Sequence, residues 1–399
     1  MRMRRWAGVS IVGLSALGLA GAVAQGAPPP GKKFGFTGHE QSYTVPAGVT
    51  MLGVEAFGGA GAPPISGTGM DLNVALPVSP GQVLYVEVGG SATGSAATFG
   101  GGGAGGAGDA PGGAGGGASD VRTCSVKVAH CAGGGTSLDS RLVVAAGGGG
   151  EGGEENSAHL YGTTCGGAPE AGIAQSVATV KIARGTVLVG GSDNSTAGAA
   201  GGGGARGGVG GLTPPCSGGI GPRNFGSDVA GEPGSAGIGG AGGASGAAPI
   251  PGGGGGGGGG YFGGGGGSSG QVDLRSPGCQ AGGCAASDGS GGGAGSSFYV
   301  AQATGEIYAQ NAGTQAPMVT MTPLIEVQSP ASGARFRNGQ VVKASYSCLD
   351  TCTGTVASGS PINTRSVGLH TFEVTEQYES HDPAVSRFSY TVVAAKGKQ

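Results

Sequence analysis

Side chains able to do chemistry are sparse in this chain, and none falls into a reaction pattern. Five histidines, His39, His130, His159, His370 and His381, show neither paired nor H-E-x-x-H spacing, so each reads as a surface or turn residue. Gly266-Gly267-Ser268-Ser269-Gly270 fits G-x-S-x-G, the turn that lifts a nucleophilic serine between a strand and a helix. No helix can start in the glycine around it, so Ser268 reads as a chance match. Glu151, Glu154 and Glu155, with His159 four residues beyond, form a small acidic group that reads as a solvated loop before it reads as a calcium or basic-partner site. G-x-G-x-x-G recurs without a strand before it and a helix after it, G-x-x-x-x-G-K-[ST] is absent, and G-G-x-G-x-D is not iterated. Nucleotide and tandem-calcium chemistry are therefore not indicated, and no cofactor is implied. Arg122 and Arg141 interrupt apolar or small-residue strings and read as bonding to backbone carbonyls at strand ends. Asn194-Ser195-Thr196 is a glycosylation sequon. A carboxylate pair for glycoside hydrolysis is spaced by the fold and cannot be read from the sequence.

The eight cysteines all follow the N-terminal leader. An even count in an oxidising compartment favours disulfides, and proximity pairs Cys124 with Cys131, Cys279 with Cys284 and Cys348 with Cys352, leaving Cys165 for Cys216. C-x2-C spacing for zinc is missing. The leader itself, Met1 to Ala24, has Arg2, Arg4 and Arg5 before the apolar stretch Ala7 to Ala20 and small residues Ala22-Val23-Ala24 for cleavage. It reads as a secretory signal, with the mature chain beginning near Gln25, and no later segment is apolar for long enough to span a bilayer. Loss of the leader leaves 17 basic against 23 acidic residues, which disfavours nucleic acid and anionic membrane surfaces as partners.

Strands must position whatever these residues do. Leu72, Val74, Leu76 and Val78 share a face in Asp71 to Val78, Leu84, Val86 and Val88 share one in Gln82 to Val88, and Ser79-Pro80-Gly81 between them predicts a hairpin. Tyr43 to Phe57, Arg141 to Ala146, Ser176 to Val189 and Ser297 to Tyr308 are further β-branched segments, and capped 3.6-periodic stretches are absent after the leader. Between these strands lie the glycines, 99 of 399 residues. Glycine and proline at this level suggest disorder, whereas few charges and a slightly positive mean hydropathy oppose it. In polyproline II geometry the run Gly252 to Gly260 would span roughly 28 Å and turn its N–H and C=O groups outward toward neighbouring helices. Ordering a residue costs about 1–2 kcal/mol and a net hydrogen bond returns roughly 0.5–1.5, so such a bundle needs a β shell and disulfides around it. A packed core through Gly252, Gly256 and Gly260 is the favoured expectation. A flexible linker is the alternative, most of all for Ala230 to Ala248.

Several strings occur in a characteristic order. They are Tyr43-Thr44-Val45-Pro46-Ala47-Gly48-Val49-Thr50, Glu55-Ala56-Phe57-Gly58-Gly59-Ala60-Gly61, Pro80 to Gly90, Gly115 to Arg122, Arg141 to Gly150, and Gly252 to Gly260 followed by Tyr261-Phe262. Over roughly Phe34 to Tyr308 this series resembles the glycine-rich extracellular region of the anaplastic lymphoma kinase and leukocyte tyrosine kinase receptors, and more closely the secreted bacterial proteins that share it. The resemblance implies a jelly-roll-like β-sandwich carrying a bundle of glycine helices; it implies no signalling and transfers no ligand-contacting residue. From Met318 glycine thins. Ser329 to Ala334, Gly339 to Cys348, Cys352 to Val356, Val367 to Phe372 and Phe388 to Val393 resemble a bacterial immunoglobulin-like repeat. There Val342, Ala344 and Tyr346 share one strand face, Phe372, Val374, Glu376 and Tyr378 a second, and Phe388, Tyr390 and Val392 a third.

The expectation is an all-β protein: a signal peptide (1–24), a linker (25–33), a glycine-rich jelly-roll-like sandwich with packed polyglycine II helices (34–317) and an immunoglobulin-like sandwich (318–399). Its expected role is non-enzymatic recognition of a protein or glycan, secreted or at the cell surface, with no membrane insertion after signal cleavage. Self-association as an envelope or matrix component is the alternative, and an extracellular hydrolase a more distant one.

Overall fold

The computed structural model of the protein describes residues 28–62, 67–108, 110–154, 178–189, 229–245, 252–270, 272–273, 285–286, 288–304, 310–311, 315–377 and 383–395. The leader, Cys165, Cys216, Cys279, Cys284, the sequon, Glu155, His159 and His381 lie outside them. Strands dominate, and the only helical element among the described residues is one 3-10 turn, Ser137–Ser140. No helix there is long and apolar enough to cross a membrane. The first strands are β1 (Lys32–Gly35), β2 (Gln41–Thr44), β3 (Val49–Phe57), β4 (Met70–Pro77), β5 (Val83–Glu87), β6 (Ser119–Arg122) and β7 (Arg141–Ala145). Then come β8 (Ala178–Ile182), β9 (Gly185–Val189), β10 (Val272–Asp273), β11 (Ala285–Ala286), β12 (Ser297–Val300) and β13 (Gln310–Asn311). The chain closes with β14 (Met318–Ser329), β15 (Arg335–Arg337), β16 (Ser345–Cys348), β17 (Thr351–Gly354), β18 (Gly368–Gln377) and β19 (Ala384–Val393).

Two sheets form a sandwich. One runs β1-β14-β3-β4-β13 with β16 attached to β14, and the other runs β2-β5-β6-β7-β12-β9-β8. Leu52, Val54, Leu72, Val74, Leu76, Val319 and Met321 from the first meet Leu84, Val86, Val121, Val143 and Leu188 from the second in one apolar core. The hairpin predicted from Asp71 to Val88 is not formed: β4 pairs with β3, and β5 pairs with β2 and β6. The β-branched segment from Tyr43 to Phe57 is likewise divided between the sheets, β2 in one and β3 in the other. Both connections cross side by side, where the Val45 amide donates to Gln82 O (2.9 Å) and the Gly81 amide to Val45 O (2.9 Å), and the corners need positive φ, supplied by Gly48 (80°) and Gly81 (77°). Two strands on opposite walls of one core bury the same alternate residues as two strands of a hairpin, so alternation could not separate the cases.

Several strands run directly into glycine. Gly147–Gly153 continues β7, Gly112–Ala118 leads into β6, and Gly289–Ser296 leads into β12. The run 252–260 lies buried among six such stretches. Its N–H groups donate in a three-residue rotation: Gly253, Gly256 and Gly259 to Ala110, Gly113 and Gly116; Gly254 and Gly257 to Gly243 and Gly240; Gly255 and Gly258 to Ser290 and Gly293. Its carbonyls accept in the same rotation from Gly153, Gly150 and Gly147, from Gly270, Gly267 and Gly264, and from Gly106 and Gly103, all of these bonds at 2.7–2.9 Å. No glycine from 252 to 260 has a positive φ, so glycine is needed here for its missing Cβ and not for its conformational range. A Cβ on Gly252 would collide with the carbonyl oxygen of Gly153, one on Gly256 with that of Gly103, and one on Gly260 would lie 2.6 Å from the Ser296 backbone. Gly240 and Gly243 belong to this array, and within 230–245, part of the segment for which a flexible linker is the alternative expectation, the amides of Glu232, Gly239, Gly240, Gly242 and Gly243 find partners in neighbouring backbone. The run ends where Tyr261 stacks on Phe298 (centroids 4.1 Å apart) against Val144 and Val187 on the outer face of the seven-stranded sheet.

Strand β14 serves two cores. Val319 and Met321 face the sandwich, and beyond register shifts around Pro323 and Ile325 its Leu324, Ile325 and Val327 join Tyr346, Phe372, Val374, Tyr390 and Val392 in a second core. The second core is closed by the four-stranded sheet β15-β19-β18-β17. A division at 317/318 therefore separates β14 from β1 and β3, its neighbours on either side, and Lys32 and Lys33 of the expected linker already pair with it. Disulfides join Cys124 to Cys131 and Cys348 to Cys352, the latter bridging from β16 to β17 as the chain passes between sheets. Glu376 alternates inward with Phe372 and Val374, and is fully buried.

Candidate polar pocket

Adjacent strands bring four charged side chains together. Glu87 lies opposite Asp120 in the β5–β6 ladder, and Arg122 lies opposite Arg141 across a bulge between β6 and β7. Because Val86 and Val121 face the sandwich core, Glu87, Asp120 and Arg122 emerge on the other side of the sheet. That side is roofed by the Thr123–Ser140 connection and by glycine segments, leaving Arg122 only 2% and Arg141 only 3% exposed.

Arg122 gathers the site. Its Nε donates to Asp120 Oδ1 (2.7 Å), its Nη2 to Asp120 Oδ2 and to Glu87 Oε2 (2.8 Å), and its Nη1 to Ser137 Oγ (2.9 Å). Ser137 Oγ in turn donates to the Cys124 carbonyl (2.8 Å), which ties the disulfide loop to the cluster. Burial together with the neighbouring Asp120 charge pushes the Glu87 carboxyl up to about 7, more than the attraction of Arg122 offsets, and Glu40 adds to the rise. Burial alone would weaken the Arg122 cation, but Asp120 and Glu87 hold its affinity for the proton above the ordinary range.

Arg141 is held differently. Its Nε donates to Leu138 O (3.0 Å), its Nη1 to Gly260 O (2.9 Å) and its Nη2 to Tyr261 O (3.0 Å), with the guanidinium carbon 4.9 Å from the centre of the Tyr261 ring. Burial pulls its pKa down, and Asp120 restores part of the loss at a distance. The backbone bonding expected for both arginines is therefore made by Arg141. For Arg122 it is corrected to a carboxylate and hydroxyl cluster, because the register places Glu87 and Asp120 within reach.

A cavity of about 530 Å³ opens over this floor. Glu87, Asp120, Arg122, Ser137 and Arg141 line its polar side, and Val126, Val128, Leu138 and Ile238 its apolar wall, Gly100, Gly101 and Gly260 bringing bare backbone to the edge. Val126 and Val128 sit in the Cys124–Cys131 loop, which Glu40 anchors by accepting from Ser125 Oγ (2.5 Å) and the Val126 amide (2.7 Å). Both acids of the floor are engaged by one guanidinium and Ser137 donates to a carbonyl, an arrangement suited to fixed recognition.

Other residues singled out in the sequence lie elsewhere. Ser268 is buried with its Oγ 3.1 Å from Ser290 Oγ, Glu154 is exposed, and Glu151 is part-buried with its backbone amide bonded to Ala62 O. His39 and His130 are exposed, whereas His370 stacks on Tyr390 (centroids 5.1 Å). Among the described residues, no three His, Cys, Asp or Glu side chains converge to hold a metal ion. Glu87, Asp120 and Ser137 were not distinguished in the sequence, although charges alternating with buried valines, as in Glu87 beside Val86 and Val121 between Asp120 and Arg122, are a usable signal. The sequence matches no protein-family model, and comparison with curated proteins finds no relative.

Proposed function

We propose that this is an extracellular, non-enzymatic recognition scaffold, exported by its leader, in which a glycine-rich domain of the receptor-like kind presents a rigid pocket to a protein or glycan partner. In this reading the sandwich is jelly-roll-like, the glycine stretches are polyglycine II helices, and the C-terminal core is an immunoglobulin-like spacer or adhesive unit. The three-residue rotation of hydrogen bonds along 252–260 supports the helical assignment. The two disulfides fit an oxidising compartment.

The observation that carries the reading is the pocket floor. Its cations are fixed by the glycine run's own carbonyls and by buried carboxylates, so the site is preorganised and loses little freedom on binding. The test is capture of the mature protein on isolated envelope fractions, with and without Val128→Trp, which fills the pocket from an exposed wall position. Binding lost in the variant supports recognition through the pocket. Equal binding by both proteins overturns it, and a concentration-dependent oligomer in sedimentation would favour the self-associating reading.

One observation favours a hydrolase as second reading: Glu87, pushed up to about 7, stands beside Asp120 in a cavity. A polysaccharide turnover that Glu87→Gln abolishes would establish that reading and displace the first.

A further inference from the structure

Arg141 is a buried cation without a counter-ion among the described residues. It has five N–H donors and spends three on the carbonyls of Leu138, Gly260 and Tyr261, and among the described residues no carboxylate forms an ion pair with it. A charge removed from water in this way is stabilised by an opposite charge delivered to it. The other cations whose charge reaches Arg141 are Arg122, which already holds Asp120 and Glu87, and Arg184, 3.8 Å from Asp139; Asp120 eases the Arg141 charge only from a distance, so among the described residues no carboxylate is left to pair with it.

We propose that the pocket receives an acidic sugar, whose carboxylate pairs with the two remaining N–H groups of Arg141 and whose hydroxyls donate to Glu87 and Asp120. The inference rests on the recognition reading above and gives its ligand a chemical class. A carboxylate on guanidinium is a strong, oriented pair. Asp120 and Glu87 are held by Arg122, line the cavity and have acceptor capacity beyond the bonds Arg122 uses, so they call for a ligand with donors, which a polyhydroxy acid has and a peptide C-terminus largely lacks. Val128, Leu138 and Ile238 offer an apolar wall for the C–H face of a sugar ring, and a volume of about 530 Å³ accommodates one or two sugar units.

The pairing has a proton signature. Glu87 faces Asp120 and Arg122 from β6, Arg141 from β7 and Glu40 from the segment before β2. A bound anion adds negative charge to this group, so Glu87 takes up a proton on binding and affinity falls as pH rises from about 6 to 8.

Calorimetric titration of the full mature protein tests this with three probes: a glucuronate-containing disaccharide, the matched glucose disaccharide and N-acetyl-alanyl-alanine. The acidic disaccharide is expected to bind about tenfold or more tighter than the neutral one. Val128→Trp should remove that binding while leaving the fold intact, and Glu87→Gln should weaken it, since a carboxylate acceptor for the ligand is lost, and flatten its pH dependence. Neutral and acidic sugars bound equally, both lost in Val128→Trp, would overturn the anion inference and leave pocket recognition standing. Tighter binding of the peptide acid would overturn the choice of a sugar. Failure of all three probes would overturn the inference, while envelope capture would still decide the broader reading.

Discussion

At the residue scale, the molecule places acids where their charge is disfavoured. Glu376 Oε1 accepts from the Asp350 amide (2.7 Å), but among the described residues its buried Oε2 finds no partner. Burial, with the Asp350 charge adding, pushes it up to about 7 against the opposing pull of the Asp350 and Leu349 amides. Glu87 behaves alike. The sign follows directly: the folded state binds more protons than the unfolded chain between the ordinary glutamate pKa of about 4.3 and about 7, so stability falls as pH rises through that window. Urea unfolding at pH 5 and pH 8 should show the loss, on the order of 1–3 kcal/mol per group, with the Glu376 part missing in Glu376→Gln. Arg122→Met should cost about 3–5 kcal/mol at pH 8 because it leaves Asp120 and Glu87 buried without their cation. At pH 5 the cost should shrink as Glu87 accepts a proton. An equal cost at both values would contradict the description of the cluster.

At the scale of elements, the glycine array makes an unusual demand: the side chain that is missing matters more than any that is present. Gly256→Ala should destabilise the protein by about 1–3 kcal/mol or more, since the new methyl meets backbone that cannot rotate away. Gly94→Ala, at an exposed site with nothing within 4 Å of the added carbon, should be nearly neutral. Thermal melts of the pair decide whether packing or composition explains the glycine. Strand existence was legible because alternation reports a buried face, as in Leu72, Val74 and Leu76. Strand partnership was not, because β4 and β5 bury the same pattern against one core from opposite sheets. The site was half legible. Arg122 and Arg141 were conspicuous in apolar strings, but Glu87 lies 35 residues before Arg122 and joins it only through the β5–β6 register.

At the scale of the whole molecule, β14 makes the two cores interdependent, since one strand supplies Val319 and Met321 to the first and Ile325 and Val327 to the second. Scanning calorimetry should therefore show a single cooperative transition, and two separated transitions would contradict the shared strand. The glycine array links the fold to the pocket, because the carbonyls of Gly260 and Tyr261, where the run ends, hold Arg141 over the aromatic ring. Recognition by the pocket requires this bare backbone to be ordered interior. The direct measurement is hydrogen exchange at the amides of residues 253–259. The account expects exchange slowed by orders of magnitude and lost only with the main unfolding transition. Exchange as fast as in an unstructured glycine peptide would contradict it, and the rigid floor beneath Arg141 with it.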